Sequence, residues 1–298
     1  MNTIEQLRKR VIDKLMLLNT VNNVWPTWQT EIRRFYSSPY PTHVDLRKIG
    51  DHLGEVFKST SNGRTQSSVS AGGTGWEALV CWYLNLCLIG SRTVVVRASK
   101  SLVPTPISDC ITVMYGSIPS NTESDLLAIT FPDECFVNTN QYLSDKKLKE
   151  YFDQVLTANF TSAELTIIQC KTNWNDNAQI PMLWDLIYRS VGFGSAATVG
   201  INGFVNKSLA KFNYAFVTVP TVDSLRINAS STAVLRVRAL SGGNYWGLPT
   251  KNSVALNVFE LITKNFQTSL SNYRNSWPAD IASEIEAMAL NNGNYFKL

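Results

Sequence analysis

Histidine is almost missing from this chain: two residues in 298, His43 and His52. They form no metal-spaced pair, so histidine-based nucleases and Ser-His hydrolases are poorly supported. Cysteine is sparse and odd in number, five in all, at 81, 87, 110, 135 and 170, with no C-x-x-C. That argues against a zinc ribbon and against a disulfide scaffold, and it fits a reducing cytosol. No apolar run is long enough to span a bilayer. The most apolar stretch, 78–90, contains Asn85 and reads as a buried helix. Residues 1–7 carry an acid and no apolar run, so no signal peptide is expected. There is no G-x-x-x-x-G-K-S/T loop, and Gly192-Phe193-Gly194 is only a fragment that follows a helical pattern. No basic tail, internal repeat or low-complexity segment is present. A net charge of +4 permits a nucleic-acid partner without requiring one. Whatever chemistry the chain performs must run on carboxylates and lysine, with or without a metal.

What is present is a succession of helical and strand patterns. Ile4, Leu7, Val11 and Leu15 predict a helix within 3–21, with Arg8, Lys9, Arg10 and Lys14 on a solvated face. Pro26 ends that region. Trp28, Ile32 and Phe35 suggest a second helix, Pro39 and Pro41 a turn, and Val44, Leu46, Ile49, Leu53 and Val56 a third helix. Residues 1–60 therefore read as a helical N-terminal part, and 61–298 as the core with C-terminal helices. A Gly- and Ser-rich loop, 59–74, leads to a helix whose first turn carries Glu77. Strands are expected at 93–97, 110–115, 126–131 and 165–174, and a helix at 144–159 with Ser144 as N-cap. Beyond these lie a helix at 180–188 and strands at 197–201, 214–219 and 233–240. A flexible loop at 241–247 and helices at 253–270 and 278–290 complete the pattern. The sum is α/β: a mixed central sheet flanked by helices.

The most informative stretch is 165–174, Leu-Thr-Ile-Ile-Gln-Cys-Lys-Thr-Asn-Trp. On a strand, Ile168 and Cys170 point one way while Gln169 and Lys171 point the other. A lone buried ammonium is costly, so Lys171 needs an anionic partner. Asp125 opens the apolar strand at 126–131, and Glu77 lies on the helix before it. Glu123 is a competitor for the place of Asp125, whereas Asp133 and Glu134 lie at the far end of that strand. Each residue also has an ordinary reading: an aspartate in a turn, a glutamate favouring a helix dipole, a lysine reaching for water.

An acid on a helix, an acid opening a strand, then Gln-x-Lys on a further strand is the order of the PD-(D/E)xK nucleases. The chain resembles that superfamily over roughly 63–188, and more narrowly its type II restriction endonucleases. The resemblance implies a restriction-endonuclease-like fold and Mg²⁺-dependent hydrolysis of double-stranded DNA by a homodimer in the bacterial or archaeal cytoplasm. It implies Glu77, Asp125, Gln169 and Lys171 as catalytic residues, with Asp125, Glu77, Gln169 and the backbone carbonyl of Cys170 as metal ligands. Gln169 stands where most members carry an acid, which also admits a catalytically weak or inactive DNA-binding protein on the same fold. Candidate DNA contacts are Arg64 and Gln66 in the polar loop, and Asn173, Asn175, Asp176, Asn177 and Gln179 after the motif strand. Arg97, Lys100, Arg236, Arg238 and Asn244 are further candidates. The run 172–179 equally suits the capping segment of the next helix.

Overall fold

The computed structural model describes residues 1–60, 69–98, 101–121, 124–135, 137–138, 141–172, 197–219, 227–247, 258–271 and 273–298. In chain order the strands are β1 Thr93–Arg97, β2 Thr112–Tyr115, β3 Ile118–Asn121, β4 Leu126–Thr130, β5 Glu164–Lys171, β6 Ala197–Val199, β7 Lys211–Thr218 and β8 Tyr245–Gly247. A five-stranded mixed sheet runs β1-β4-β5-β7-β8, with a separate three-stranded sheet β3-β2-β6. β1 and β5 both run antiparallel to β4, while β7 runs parallel to β5 and β8 parallel to β7. The register pairs Leu126 with Arg97 on one side and with Ile168 on the other. β4 is buried along its whole length, and β5 is buried until its last residue, Lys171. The nearly all-apolar β4 is what a strand covered on both faces requires, whereas β5 also buries Glu164, Thr166 and Gln169.

Helices flank the sheet. α1 Thr3–Met16 starts at Asn2, whose side chain accepts from the Glu5 N–H. α2 Asn19–Asn22, α3 Trp25–Arg33, α4 His43–Asp51 and α5 Leu53–Lys58 follow, α4 entered through a Thr42/Asp45 capping box. The single helices expected over 3–21 and 44–56 are each broken in two. Pro26 starts α3 rather than ending the region before it, as its missing N–H allows. α6 Val69–Cys87 is the long apolar helix, and α7 Thr105–Ile111 takes the first residues of the expected 110–115 strand. α8 Asp145–Ala158 is capped by Ser144, as its sequence suggests. One apolar cluster includes residues from Ile4 in α1 to Leu298.

Arg8 is not on a solvated face: it is fully buried, paired with Glu5, and donates to the carbonyls of Ser91 and Thr93 at 2.9 and 2.8 Å. Residues 233–240 are not a strand but lie in the helix Thr232–Ser241, which buries Ala233, Val234 and Val237. The helix stops at Gly242 (φ +60°), where the Gly243 N–H bonds back to the Arg238 carbonyl at 2.8 Å. The loop expected at 241–247 accordingly ends in β8, with Trp246 buried. The remaining helices are Val258–Asn265, Gln267–Leu270 and Trp277–Asn292. Among the described residues no helix is long and apolar enough to cross a membrane.

Candidate active site

The site lies where β1 ends, β4 begins and β5 ends. Antiparallel pairing of β4 with β5 brings Asp125, one residue before the Leu126–Ile168 pair, to the last residues of β5. Its Oδ2 accepts the Cys170 N–H at 2.7 Å and the Lys171 ammonium at 3.4 Å. Both side chains are largely covered, Lys171 11% and Asp125 23% exposed. The anion that Lys171 requires is therefore the acid at the mouth of the neighbouring strand. Gln169 is buried, and strand alternation gives its side chain the same face as Lys171. The Cys170 carbonyl leaves the strand on the same side as its N–H, toward the mouth of β4.

Glu77 is brought to this place by α6, which packs against β1 and β5. It sits well inside that helix rather than in its first turn, because the helix begins at Val69, inside the expected polar loop. A dipole role at a helix start therefore does not apply to it. Its Oε1 accepts from Arg97 Nε at 2.5 Å. Burial pushes the Glu77 carboxyl above its usual range. The Arg97 bond and charge oppose that shift, the Asp125 carboxylate adds to it, and Lys171 counters it. Glu77, Arg97, Asp125 and Lys171 thus lie within electrostatic reach at one sheet end, Arg97 by register on the Ile168 face and Lys171 on the other. Burial, reinforced by Asp125 and Glu77, pushes the Cys170 thiol well up, so it stays neutral.

Arg97 is not a free base-reading residue but the partner of Glu77. The signal was available: a glutamate among Trp76, Leu79, Val80 and Cys81 needs a cation, and Arg97 closes the strand that packs on that helix. Asn244 is likewise no free reader, since its amide donates to the Tyr214 carbonyl and to Asn265 Oδ1 at 2.8 and 2.7 Å. Arg236 and Arg238 are exposed on a helix rather than a strand. Asp133, at the far end of β4, pairs with Arg92. Arg64, Gln66, Lys100, Glu123, Asn173, Asn175, Asp176, Asn177, Gln179, the 180–188 helix and Gly192-Phe193-Gly194 lie outside the described residues.

The expected donors are two carboxylates, an amide oxygen and a backbone carbonyl, but the register puts the Gln169 side chain on the sheet face opposite Arg97, the partner of Glu77. Among the described residues, no group of three or more His, Cys, Asp or Glu could hold a metal ion. Hard oxygen donors with one or two carboxylates suit Mg²⁺, which keeps several waters and takes the rest of its shell from a phosphate. A divalent ion held by either carboxylate would relieve the mutual repulsion of Asp125 and Glu77. No protein-family model, curated protein or solved structure matches the chain.

Proposed function

We propose that this chain is a Mg²⁺-dependent endonuclease that cuts double-stranded DNA at a short specific site, on a restriction-endonuclease-like core. Cutting both strands of a two-fold-symmetric site calls for a homodimer. The observation that carries the reading is the Asp125–Lys171 pair across two neighbouring strand ends, with Glu77 in electrostatic reach of both.

Asp125 and Glu77 would hold the ion, with Gln169 and the Cys170 carbonyl as neutral donors. When bound, Mg²⁺ supplies positive charge against the charge that builds on the phosphate. Lys171 Nζ holds the attacking water and faces the phosphate oxygens; its charge favours the hydroxide form. Asp125 fixes the direction of that ammonium. A second reading, DNA binding without catalysis, draws on the amide at 169 and on the guanidinium that already occupies Glu77.

Incubation with bacteriophage DNA, with and without Mg²⁺, separates the readings. Discrete Mg²⁺-dependent bands support the restriction enzyme, a smear indicates a nonspecific nuclease, and retarded but uncut DNA indicates binding alone. Lys171→Ala should abolish the bands and leave DNA retention largely intact. Gln169→Glu, which adds a carboxylate to the site, should retain or raise cleavage. Loss of both cleavage and Mg²⁺ binding in that variant would count against this assignment of the site.

A further inference from the structure

The nuclease reading makes Glu77 a metal-holding group, yet in the structure its carboxylate is engaged by a guanidinium. Arg97 is the last residue of β1, and the pair is mostly covered, Arg97 28% and Glu77 15% exposed. A guanidinium and a divalent cation compete for the same carboxylate lone pairs and repel one another. While the pair holds, Arg97 therefore works against metal entry at Glu77. Lys171, the other cation beside Glu77, already bonds Asp125 Oδ2, so both carboxylates carry a protein cation.

The position of Arg97 suggests where its guanidinium goes when Glu77 is released. The Ala98 N–H donates to the Asp125 carbonyl at 3.2 Å, which pins the end of β1 beside the mouth of β4. Arg97 thus stands at the sheet end that holds Asp125 and Lys171; the Arg97–Leu126–Ile168 register puts its side chain on the face opposite Lys171, so the guanidinium would reach a scissile phosphate around that end. The planar fork of arginine binds phosphate oxygens in pairs, an acceptor as good as the carboxylate it leaves.

We infer that Arg97 is a transferable counter-ion: it neutralises Glu77 in the free protein and moves to a phosphate of bound DNA, which frees Glu77 for the metal. The inference rests on the nuclease reading. It makes Arg97 a phosphate-contacting residue and couples metal uptake to DNA: each raises the affinity for the other. Free protein is then poorly charged with metal, and cleavage competence forms on the substrate. A merely structural ion pair predicts the opposite effect of its removal, a loosened site that holds metal less well.

The test titrates Mn²⁺, read by electron paramagnetic resonance, into the full chain without DNA at pH 8, and times Mg²⁺-dependent cleavage of bacteriophage DNA separately. Arg97→Ala should bind Mn²⁺ about tenfold more tightly than wild type, because a neighbouring positive charge is gone. It should also cleave about 100-fold more slowly, because a donor to the phosphate is gone. Arg97→Lys keeps the charge without the fork; it should keep the weak Mn²⁺ binding and still cleave poorly. Arg97→Gln gives the same readout as Arg97→Ala should the alanine variant melt at a much lower temperature. Mn²⁺ affinity that is unchanged or weaker in both neutral variants overturns the inference. Wild-type cleavage matched by Arg97→Ala overturns the handover and leaves the nuclease reading standing. A wild type that neither binds nor cuts DNA overturns both.

Discussion

Glu77 shows what a single carboxyl gains and loses inside a mostly apolar helix. Burial raises its pKa, and Arg97 and Lys171 only partly restore the charged form. A carboxyl held above its usual range binds its proton more tightly in the native chain than in the unfolded one. Its contribution then favours the fold in acid and is lost as pH rises from the ordinary carboxylate range through the raised native value. The stability of wild type relative to Glu77→Gln should therefore be greatest near pH 4 and fall toward pH 8. Urea titrations across that range check the slope, and a difference that does not vary with pH would contradict the raised value. Metal binding at Glu77 should strengthen over the same rise in pH, as the competing proton leaves the oxygen. Lys171 was the most legible residue in the sequence, because an ammonium on a buried strand demands a partner. Arg97 was less legible, because its strand ends where a surface arginine is also ordinary.

β1 is an edge of the five-stranded sheet, and an edge leaves backbone groups without a neighbouring strand. Asn85 on α6 supplies what that strand would have. Its Oδ1 accepts the Val95 N–H at 3.1 Å, and its Nδ2 donates to the Val95 carbonyl at 2.7 Å. Arg8 covers the Thr93 carbonyl. Asn85→Leu keeps the helix and removes both bonds, leaving the buried Val95 N–H unmet and its carbonyl with only the weak Cys81 thiol donor. It should destabilise the protein by about 3 kcal/mol, measured by chemical denaturation; a change within 0.5 kcal/mol would show that the edge is satisfied another way. Asn85 appears in the sequence only as a polar interruption of an apolar run. Its role depends on a strand that the sequence could locate but not place at an edge. The helix Thr232–Ser241 was misread for a related reason. Val-Leu-Arg-Val-Arg alternates apolar and charged residues closely enough to mimic a strand. The helical spacing of Ala233, Val234 and Val237, and the Gly242-Gly243 stop after it, were the better guide. Runs with no competing period, β1 and β4 above all, were read almost to the residue.

Across the molecule, the Glu5–Arg8 pair joins segments that are remote along the chain. Glu5 accepts from the Gly90 N–H at 2.9 Å and from the Tyr295 hydroxyl at 3.1 Å. Nearby, the Phe296 carbonyl accepts from Trp82 Nε1 at 2.8 Å. Removing one member of a fully buried pair leaves the other charge uncompensated. Arg8→Ala should therefore destabilise the protein by about 3–5 kcal/mol, seen as a lowered denaturation midpoint; Arg8→Met together with Glu5→Gln should recover part of that loss. None of this was visible in the sequence, where Arg8 belongs to a run of basic residues that reads as a wet helix face. The Glu5–Tyr295 bond spans 290 residues, and this imposes an order of events during synthesis. A ribosome adding ~5–20 residues per second needs roughly 15–60 s between the two partners. Through that interval Glu5 lacks its Tyr295 hydroxyl donor, and Trp82, made 214 residues before its partner, waits a shorter time for the Phe296 carbonyl. A nascent chain stalled before residue 295 should remain open to protease within 3–16, and the completed chain should close it.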